Sequence, residues 1–292
     1  MENIYGLTQQ NLEKYFVDNG EKKFKAVQVY EWLYKKRIRE FSEMRNVSKI
    51  TIENLSKAFA IKKLEIIDKR EDTDVVKYLF RLEDNNKIEA VLMNHDYGNS
   101  ICISTQVGCN MGCHFCESGR LKKVRNLETY EMVVQLLQVE EDLNIRISHV
   151  VLMGIGEPFD NYDNVIKFLE IVNNNKGIDI GSRHITISTC GLVPKIDLFA
   201  DYDKQVNLAI SLHAPNNEIR NQIMEINKAY PLEKLIPAIK RYISKTNRRV
   251  TFEYIMLKDV NDSRECAKEL SELLRGMNCY VNLIPYNETN NI

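Results

Sequence analysis

The chain has 292 residues, 44% of them hydrophobic and 28% charged, with a formal net charge of −1; that suits one large globular domain plus a small one. No apolar run approaches the ~20 residues that span a bilayer, and the start, Met1-Glu-Asn-Ile-Tyr5, lacks the basic and apolar pattern of an export signal. Seven cysteines, an odd number without an export signal, argue against a disulfide framework and for a cytoplasmic location.

Residues 8–18, 24–39 and 48–60 read as helices. In the second, Phe24, Val27 and Tyr34 recur near helical spacing, and Trp32 and Leu33 widen the apolar face. It ends in the basic run Lys35-Lys-Arg-Ile-Arg39. Residues 1–70 hold 15 Lys and Arg against 10 Asp and Glu, so the remainder carries −6. An N-terminal basic excess is compatible with an RNA-facing module, although charge runs are commonly solvated faces. Three short helices bury little surface alone and are expected to dock on the rest of the chain. At 75–93 the period changes to two. Val76–Arg81 and Ile88–Met93 read as strands, and the Asp84-Asn-Asn86 turn makes them a hairpin.

From residue 99 strands and helices alternate. Strand-like runs at 100–104, 149–153, 184–189, 206–212, 250–257 and 280–284 enclose helical patterns at 128–142, 161–173, 193–200, 232–245 and 262–275. Such alternation predicts an α/β fold with a parallel sheet and right-handed crossovers. Six units fall two short of a closed eight-stranded barrel, so a partial (β/α)6 barrel with a lateral mouth is expected. The expected division is 1–60 as a small N-terminal helical domain, 61–97 as a β-hairpin extension, and 98–292 as the partial barrel.

Chemistry concentrates on Cys109-Asn-Met-Gly-Cys113-His-Phe-Cys116. Three thiolates at C-x₃-C-x₂-C spacing can hold three irons of a four-iron cluster and leave the fourth open. Zinc is the alternative occupant, but no further Cys or His follows at ribbon spacing, and His114 sits between two ligands. Later strand ends carry further candidates. Gly154-Ile-Gly156-Glu157-Pro158 offers close backbone approach and a carboxylate that can pair with an ammonium group. Ser188-Thr-Cys-Gly191 offers hydroxyls suited to a carboxylate or ribose. Ser211-Leu212-His213-Ala-Pro215 and Pro285-Tyr-Asn287 end two more strands. Each is ordinary turn chemistry by itself; at successive strand ends they predict one shared pocket.

The cysteine loop, with Phe115 before its last cysteine, resembles the radical S-adenosylmethionine (SAM) signature. The wider set of motifs resembles the RlmN family of dual-specificity RNA methyltransferases. It comprises Phe24-Lys-Ala-Val-Gln28, Gly-Cys-x₃-Cys-x-Phe-Cys, Gly-x-Gly-Glu-Pro-x-x-Asn161, Ile-Ser-Thr-x-Gly191, Ile-Ser-Leu-His-Ala-Pro215, Phe252-Glu-Tyr254 and Val-Asn-Leu-Ile-Pro-Tyr-Asn287. Pro158 separates the chain from the related Cfr group, which has alanine there. The resemblance implies a radical SAM barrel with a [4Fe–4S] cluster on Cys109, Cys113 and Cys116. It also implies SAM held by Gly156, Glu157, Ser188, Ser211, Leu212, His213 and Asn287. The implied reaction is methylation at C2 of adenosine in 23S rRNA and tRNA. C2 lies between two ring nitrogens and is too electron-poor to attack a methyl sulfonium, hence the radical chemistry. The implied partners are the RNAs and an electron donor such as flavodoxin or ferredoxin, with no membrane, and the chain is expected to be a monomer.

Two further roles come from the same resemblance. Cys102, seven positions before the first cluster cysteine, matches the family's resolving thiol; from the residues alone it reads as a buried strand cysteine. Glu89 matches the family's general base; from the residues alone it is a polar residue on the wet face of a strand. Cys190, Cys266 and Cys279 match no role and read as packing residues. Arg120, Lys122, Lys123 and Arg125 could meet phosphates or could form a solvated turn. The family carries its methyl group on a cysteine in a later Ala-Cys-Gly-Gln segment, whereas this chain ends at Thr-Asn-Asn-Ile292. It is therefore expected to bind cluster and SAM without completing transfer unaided. Other readings are a Cfr-like C8 methyltransferase, a different radical SAM enzyme such as a glycyl-radical activase, and a non-catalytic RNA-binding relic.

Overall fold

The computed structural model describes residues 1–287; the terminal Thr-Asn-Asn-Ile292 lies outside them. The first elements are β1 (Glu2–Asn3), α1 (Gln9–Asp18), α2 (Phe24–Tyr34), α3 (Lys49–Ala58) and β2 (Phe59–Ala60). Next come β3 (Glu65–Glu71), β4 (Val75–Arg81), β5 (Lys87–His95), β6 (Gly98–Cys102), β7 (Gln106–Val107), α4 (Glu117–Arg120) and β8 (Arg125–Asn126). After these lie α5 (Thr129–Leu143), β9 (Ile147–Leu152), α6 (Tyr162–Val172), β10 (Ile185–Thr189), α7 (Val193–Phe199) and β11 (Asn207–Ser211). The last are α8 (Asn217–Ile223), α9 (Leu232–Thr246), β12 (Val250–Met256), α10 (Arg264–Leu273) and β13 (Cys279–Pro285). The six predicted barrel strands, β6 and β9 to β13, thus occur in the predicted order with helices between them. Two compact units divide the chain. One holds residues 1–104, 127–150 and 163–184, and the other holds 105–126, 151–162 and 185 onward.

In the first unit the N-terminal helices begin where capping chemistry places them. Thr8 Oγ1 accepts from the Asn11 amide at 3.1 Å while Asn11 Oδ1 accepts from the Thr8 amide at 3.2 Å, a reciprocal cap. Ser48 Oγ starts α3 by accepting from the Thr51 amide at 3.3 Å. Leu12, Phe16, Val29, Leu33 and Leu55 form the core between these helices. Two predicted boundaries are corrected. α2 stops at Tyr34 rather than 39, because Arg37 takes a left-handed backbone (φ 57°) that a right-handed helix excludes. The basic run is consequently turned partly inward: Arg37 pairs with Glu140, and Arg39 Nη2 with Glu141 at 3.1 Å. The third helix gives way at Phe59 to β2, which pairs in parallel with β1.

β3, β4, β5 and β6 form an antiparallel array. The alternation in β4 and β5 buries Val76, Tyr78, Phe80, Ile88, Ala90 and Leu92 on one side. At the turn, Asn85 has φ 66°, and the Asn86 amide donates to Asp84 Oδ1 at 3.1 Å. β3 is not predicted from sequence. Its residues show no period because most are exposed, and its side chains are tied by ion pairs such as Lys69–Asp142 at 2.8 Å.

The second unit carries the parallel strands β10, β11, β12 and β13. They bury Ile187, Leu208, Ile210, Val250 and Phe252 against helix residues such as Ile196, Leu235 and Ile239. Register sets Ser211 beside Glu253 and Glu253 beside Asn282. The carboxyl ends of these strands deliver the functional groups.

Candidate functional site

The cysteine loop leaves β7 through Gly108, whose φ of 72° and surroundings demand glycine: a Cβ there would lie 2.2 Å from the Lys122 carbonyl oxygen. The Cys109 amide donates to the Leu121 carbonyl at 2.8 Å, and the Cys116 amide to the Cys113 carbonyl at 3.2 Å. Cys113 forms an isolated bridge with Met224, and the His114 amide donates to the Ile223 carbonyl at 3.0 Å. These bonds hold the loop in a single turn. All three thiols line one cavity of ≈ 260 Å³, with His114 outside it. Burial pushes the Cys109 thiol up to about 11 and the Cys113 thiol higher, so a metal must displace protons to bind. Thiols that each reach a different iron need not converge on one point, and no three metal-ligating side chains converge among the described residues. An apolar cluster of Cys190, Ala214, Ile223, Met224 and Leu257 packs against Cys113 and Phe115.

Gly156 and Glu157 line the same cavity from the end of β9. Gly156 has φ 109°, and a Cβ would fall 2.5 Å from Gln106 Cβ, so no other residue fits. The Glu157 amide donates to Gln106 Oε1 at 2.8 Å. Its carboxylate accepts from the Phe159 amide (2.9 Å) and the Cys190 amide (2.8 Å). The side chain is buried, burial pushes its pKa up, and no Lys, Arg or His pairs with it among the described residues. A buried carboxylate without a cation is costly, and this one faces the cavity.

Ser188, Ser211 and His213 also line the cavity, and the two serine hydroxyls lie 3.4 Å apart. His213 ends β11 in a left-handed turn (φ 58°). Its Nδ1 accepts from the Ile255 amide at 3.0 Å, so the ring proton sits on Nε2. Burial, with the Arg220 charge adding, pulls its pKa down to about 3, and the ring is neutral. Phe115 meets it edge to face at 4.7 Å. Leu212 is buried, and its amide donates to the Glu253 carbonyl at 3.1 Å; it shapes the turn without lining the cavity.

Several expected site residues lie elsewhere. Asn287 is exposed and lines no part of this cavity. Glu89 and Cys102 belong to the first unit. Cys102 pairs in register with Val91, which makes it a diagonal neighbour of Glu89 on the half-exposed face of the array. Lys77 Nζ meets Glu89 Oε1 there at 2.7 Å. Of the basic turn after the cluster loop, Lys123 pairs with Asp160 at 2.7 Å and Arg120 with Glu117 at 3.2 Å. Cys190 and Cys266 are buried, while Cys279 is half-buried.

Three site residues lie outside the expected set. Glu253 lines the cavity and accepts from Asn282 Nδ2 at 2.7 Å; its motif was visible but not its place. Asn261 donates to the His213 carbonyl at 2.7 Å and fixes that turn. Arg220 is fully buried behind the strand ends.

This arrangement of a three-cysteine loop and strand-end groups is that of a radical SAM enzyme. Residues 103–270 match the Radical SAM superfamily, and residues 2–61 match the ribosomal RNA large subunit methyltransferase N-terminal domain. A crystal structure of a radical SAM methyltransferase from Sphaerobacter thermophilus superposes with TM-score 0.93 at 38% identity, covering 100% of this chain and 87% of that one. Two curated relatives share the description "Probable dual-specificity RNA methyltransferase RlmN". The one from Spiroplasma citri is 57% identical over 291 residues, 98% of this chain and 84% of its own length. The one from Enterococcus faecalis is 58% identical over 294 residues, 98% and 82% respectively. The chain belongs to the RlmN family and is a radical SAM RNA methyltransferase. That membership replaces the glycyl-radical activase and RNA-binding relic readings. No helix among the described residues is long and apolar enough to cross a membrane.

Proposed function

We propose that this enzyme methylates C2 of adenosine in 23S rRNA and tRNA, using SAM and a [4Fe–4S] cluster on Cys109, Cys113 and Cys116. The observation that carries the reading is the uncompensated Glu157 carboxylate in the cavity that the three thiols line. The donor set fits the group: three thiols leave one iron open, and a buried anion faces the space where the SAM ammonium would come. When bound, the cluster supplies the electron that cleaves SAM and starts the radical chemistry. Glu157 accepts from the ammonium, the Gly156 backbone admits SAM closely, and Ser188 and Ser211 present hydroxyls to its polar groups. Neutral His213 offers Nε2–H as a donor without adding charge. Leu212 supports that turn, and Asn287 is assigned to the same binding set on the family match.

Glu89 is assigned as the base that takes the proton from the adenosine carbon, with Lys77 Nζ 2.7 Å from its carboxylate. Cys102 is assigned as the thiol that resolves the methylated intermediate. The helical segment 1–60 is assigned to RNA contact, 61–97 to the hairpin extension and 98–292 to the barrel. A flavodoxin- or ferredoxin-type donor, a cytoplasmic location and a monomeric state complete the proposal. The test is anaerobic incubation of the cluster-loaded chain, extended by a family-type tail that carries the Ala-Cys-Gly-Gln segment, with labelled SAM and unmodified RNA, followed by nucleoside mass spectrometry. 2-Methyladenosine is expected, absent with Glu89→Gln. 8-Methyladenosine would establish the Cfr-like reaction instead.

A further inference from the structure

Arg220 is the largest fully buried side chain among the described residues. It sits on α8, and every polar contact it makes is to a neutral acceptor. Nε donates to the Leu212 carbonyl at 3.1 Å, Nη1 to Asn227 Oδ1 at 2.8 Å and, more loosely, to the Tyr230 carbonyl at 3.5 Å. Nη2 donates to the carbonyls of Cys190 at 2.8 Å and Ser211 at 3.3 Å. No carboxylate pairs with it among the described residues. A guanidinium taken out of water without an anion is a large cost. Carbonyl dipoles offset part of it, yet a neutral residue could tie the strand ends with less desolvation.

Two connections lead from this charge to the cysteine loop. The Met224 amide donates to the Arg220 carbonyl at 2.8 Å, and Met224 is the bridge partner of Cys113. The helix that carries Arg220 is therefore pinned to the backbone of the middle cluster cysteine. Arg220 Nη2 also reaches the carbonyl of Cys190, which belongs to the apolar cluster packed against Cys113. Within this unit the buried Glu157 carboxylate lines the cavity, and the Arg220 cation lies behind the strand-end residues Cys190 and Ser211 that line it too.

Resting on the reading that the loop holds a [4Fe–4S] cluster, we propose that Arg220 is a positioning residue and the built-in countercharge of that cluster. It holds the ends of β10 and β11 through their carbonyls, and its cation offsets the negative charge that the thiolates bring when they bind iron. Net charge around an iron–sulfur cluster is one of the quantities that set its potential. A fixed buried cation should therefore make the cluster easier to reduce.

Anaerobic iron and sulfide loading of the full chain, followed by a redox titration monitored by electron paramagnetic resonance, tests this. Arg220→Gln, which keeps some hydrogen bonding and loses the charge, should shift the cluster to a more negative potential. Arg220→Lys, which keeps the charge and loses the fork, should stay close to the parent potential while melting at a lower temperature. Equal potentials for parent and Arg220→Gln overturn the proposal, as do equal shifts in both variants. If Arg220→Gln takes up no iron, uptake restored by Arg220→Lys supports the countercharge, and uptake lost in both overturns it. A parent chain that takes up no iron overturns the reading of the cysteine loop itself, and this proposal with it.

Discussion

Glu140 in the first unit and Glu157 in the second are both glutamates with less than a tenth of their surface exposed, 6% and 3%. Glu140 pairs with Arg37 and lies 3.6 Å from Arg146, and its Oε1 accepts from the Ile147 amide at 2.8 Å. Glu157 has two amide donors and, among the described residues, no cation. The first unit uses its buried charge on itself, joining segments 103 residues apart in the chain. The second leaves Glu157 and Arg220 without a charged partner among the described residues. A charge neutralised within the chain is architecture; one left unpaired at a cavity wall marks where a charged ligand belongs.

The contrast is tested first at the metal. Cys113→Ala should abolish iron uptake in anaerobic reconstitution, read as iron per chain and as loss of visible absorbance. Full iron retention by that variant would separate the cavity from the cluster. Next, the same conservative change at both glutamates should act in opposite places. Glu140→Gln strands Arg37, which is partly exposed, and should destabilise the protein by about 2–3 kcal/mol in urea unfolding. Glu157→Gln trades a buried charge against one lost amide acceptor and should move apoprotein stability by less than about 1 kcal/mol. SAM affinity measured by calorimetry should instead fall about tenfold or more, the worth of a charge-assisted hydrogen bond. If both variants unfold alike and bind SAM alike, the distinction fails.

A smaller effect concerns pH. His213 is held near 3 in the folded chain against an ordinary value of about 6.5 once unfolded. Between those values the unfolded state binds the extra proton, so stability is lost as pH falls through the unfolded value. From pH 7 to 5 this amounts to about 2 kcal/mol. His213→Asn, which tolerates the left-handed backbone, should lose about that much less over the same interval. Parallel stability curves for parent and variant would show that the ring is not neutral. The smallest effect belongs to the exposed ion pair of the first unit. Glu89→Gln breaks a contact whose side chains are 40% and 47% exposed and should change stability by less than about 1 kcal/mol. Loss of methyl transfer without loss of fold would then be a statement about chemistry.

Local pattern made much of this protein readable in one dimension. Period-two burial in β4 and β5, the six barrel strands and the three-cysteine loop all depend on residues close in sequence. So do the strand-end turns around Gly156 and His213. Each is set by neighbouring side chains and by the few backbone conformations that turns allow. The family resemblance, resting on those same motifs, carried the nature of the reaction. Where α2 ends was not readable, because Arg37 leaves the helical region to reach Glu140, 103 residues away. β3 was silent because an exposed strand shows no alternation to detect. Nor could any spacing rule reveal that Arg220 meets the carbonyls of Cys190, Ser211 and Leu212, or that Asn261 steadies the His213 turn. Sequence alone thus determined which groups can do the chemistry, since that depends on residue type and local geometry. Only the tertiary structure decided which charges are paired and which remain for a ligand, since a charge's cost depends on everything folded around it.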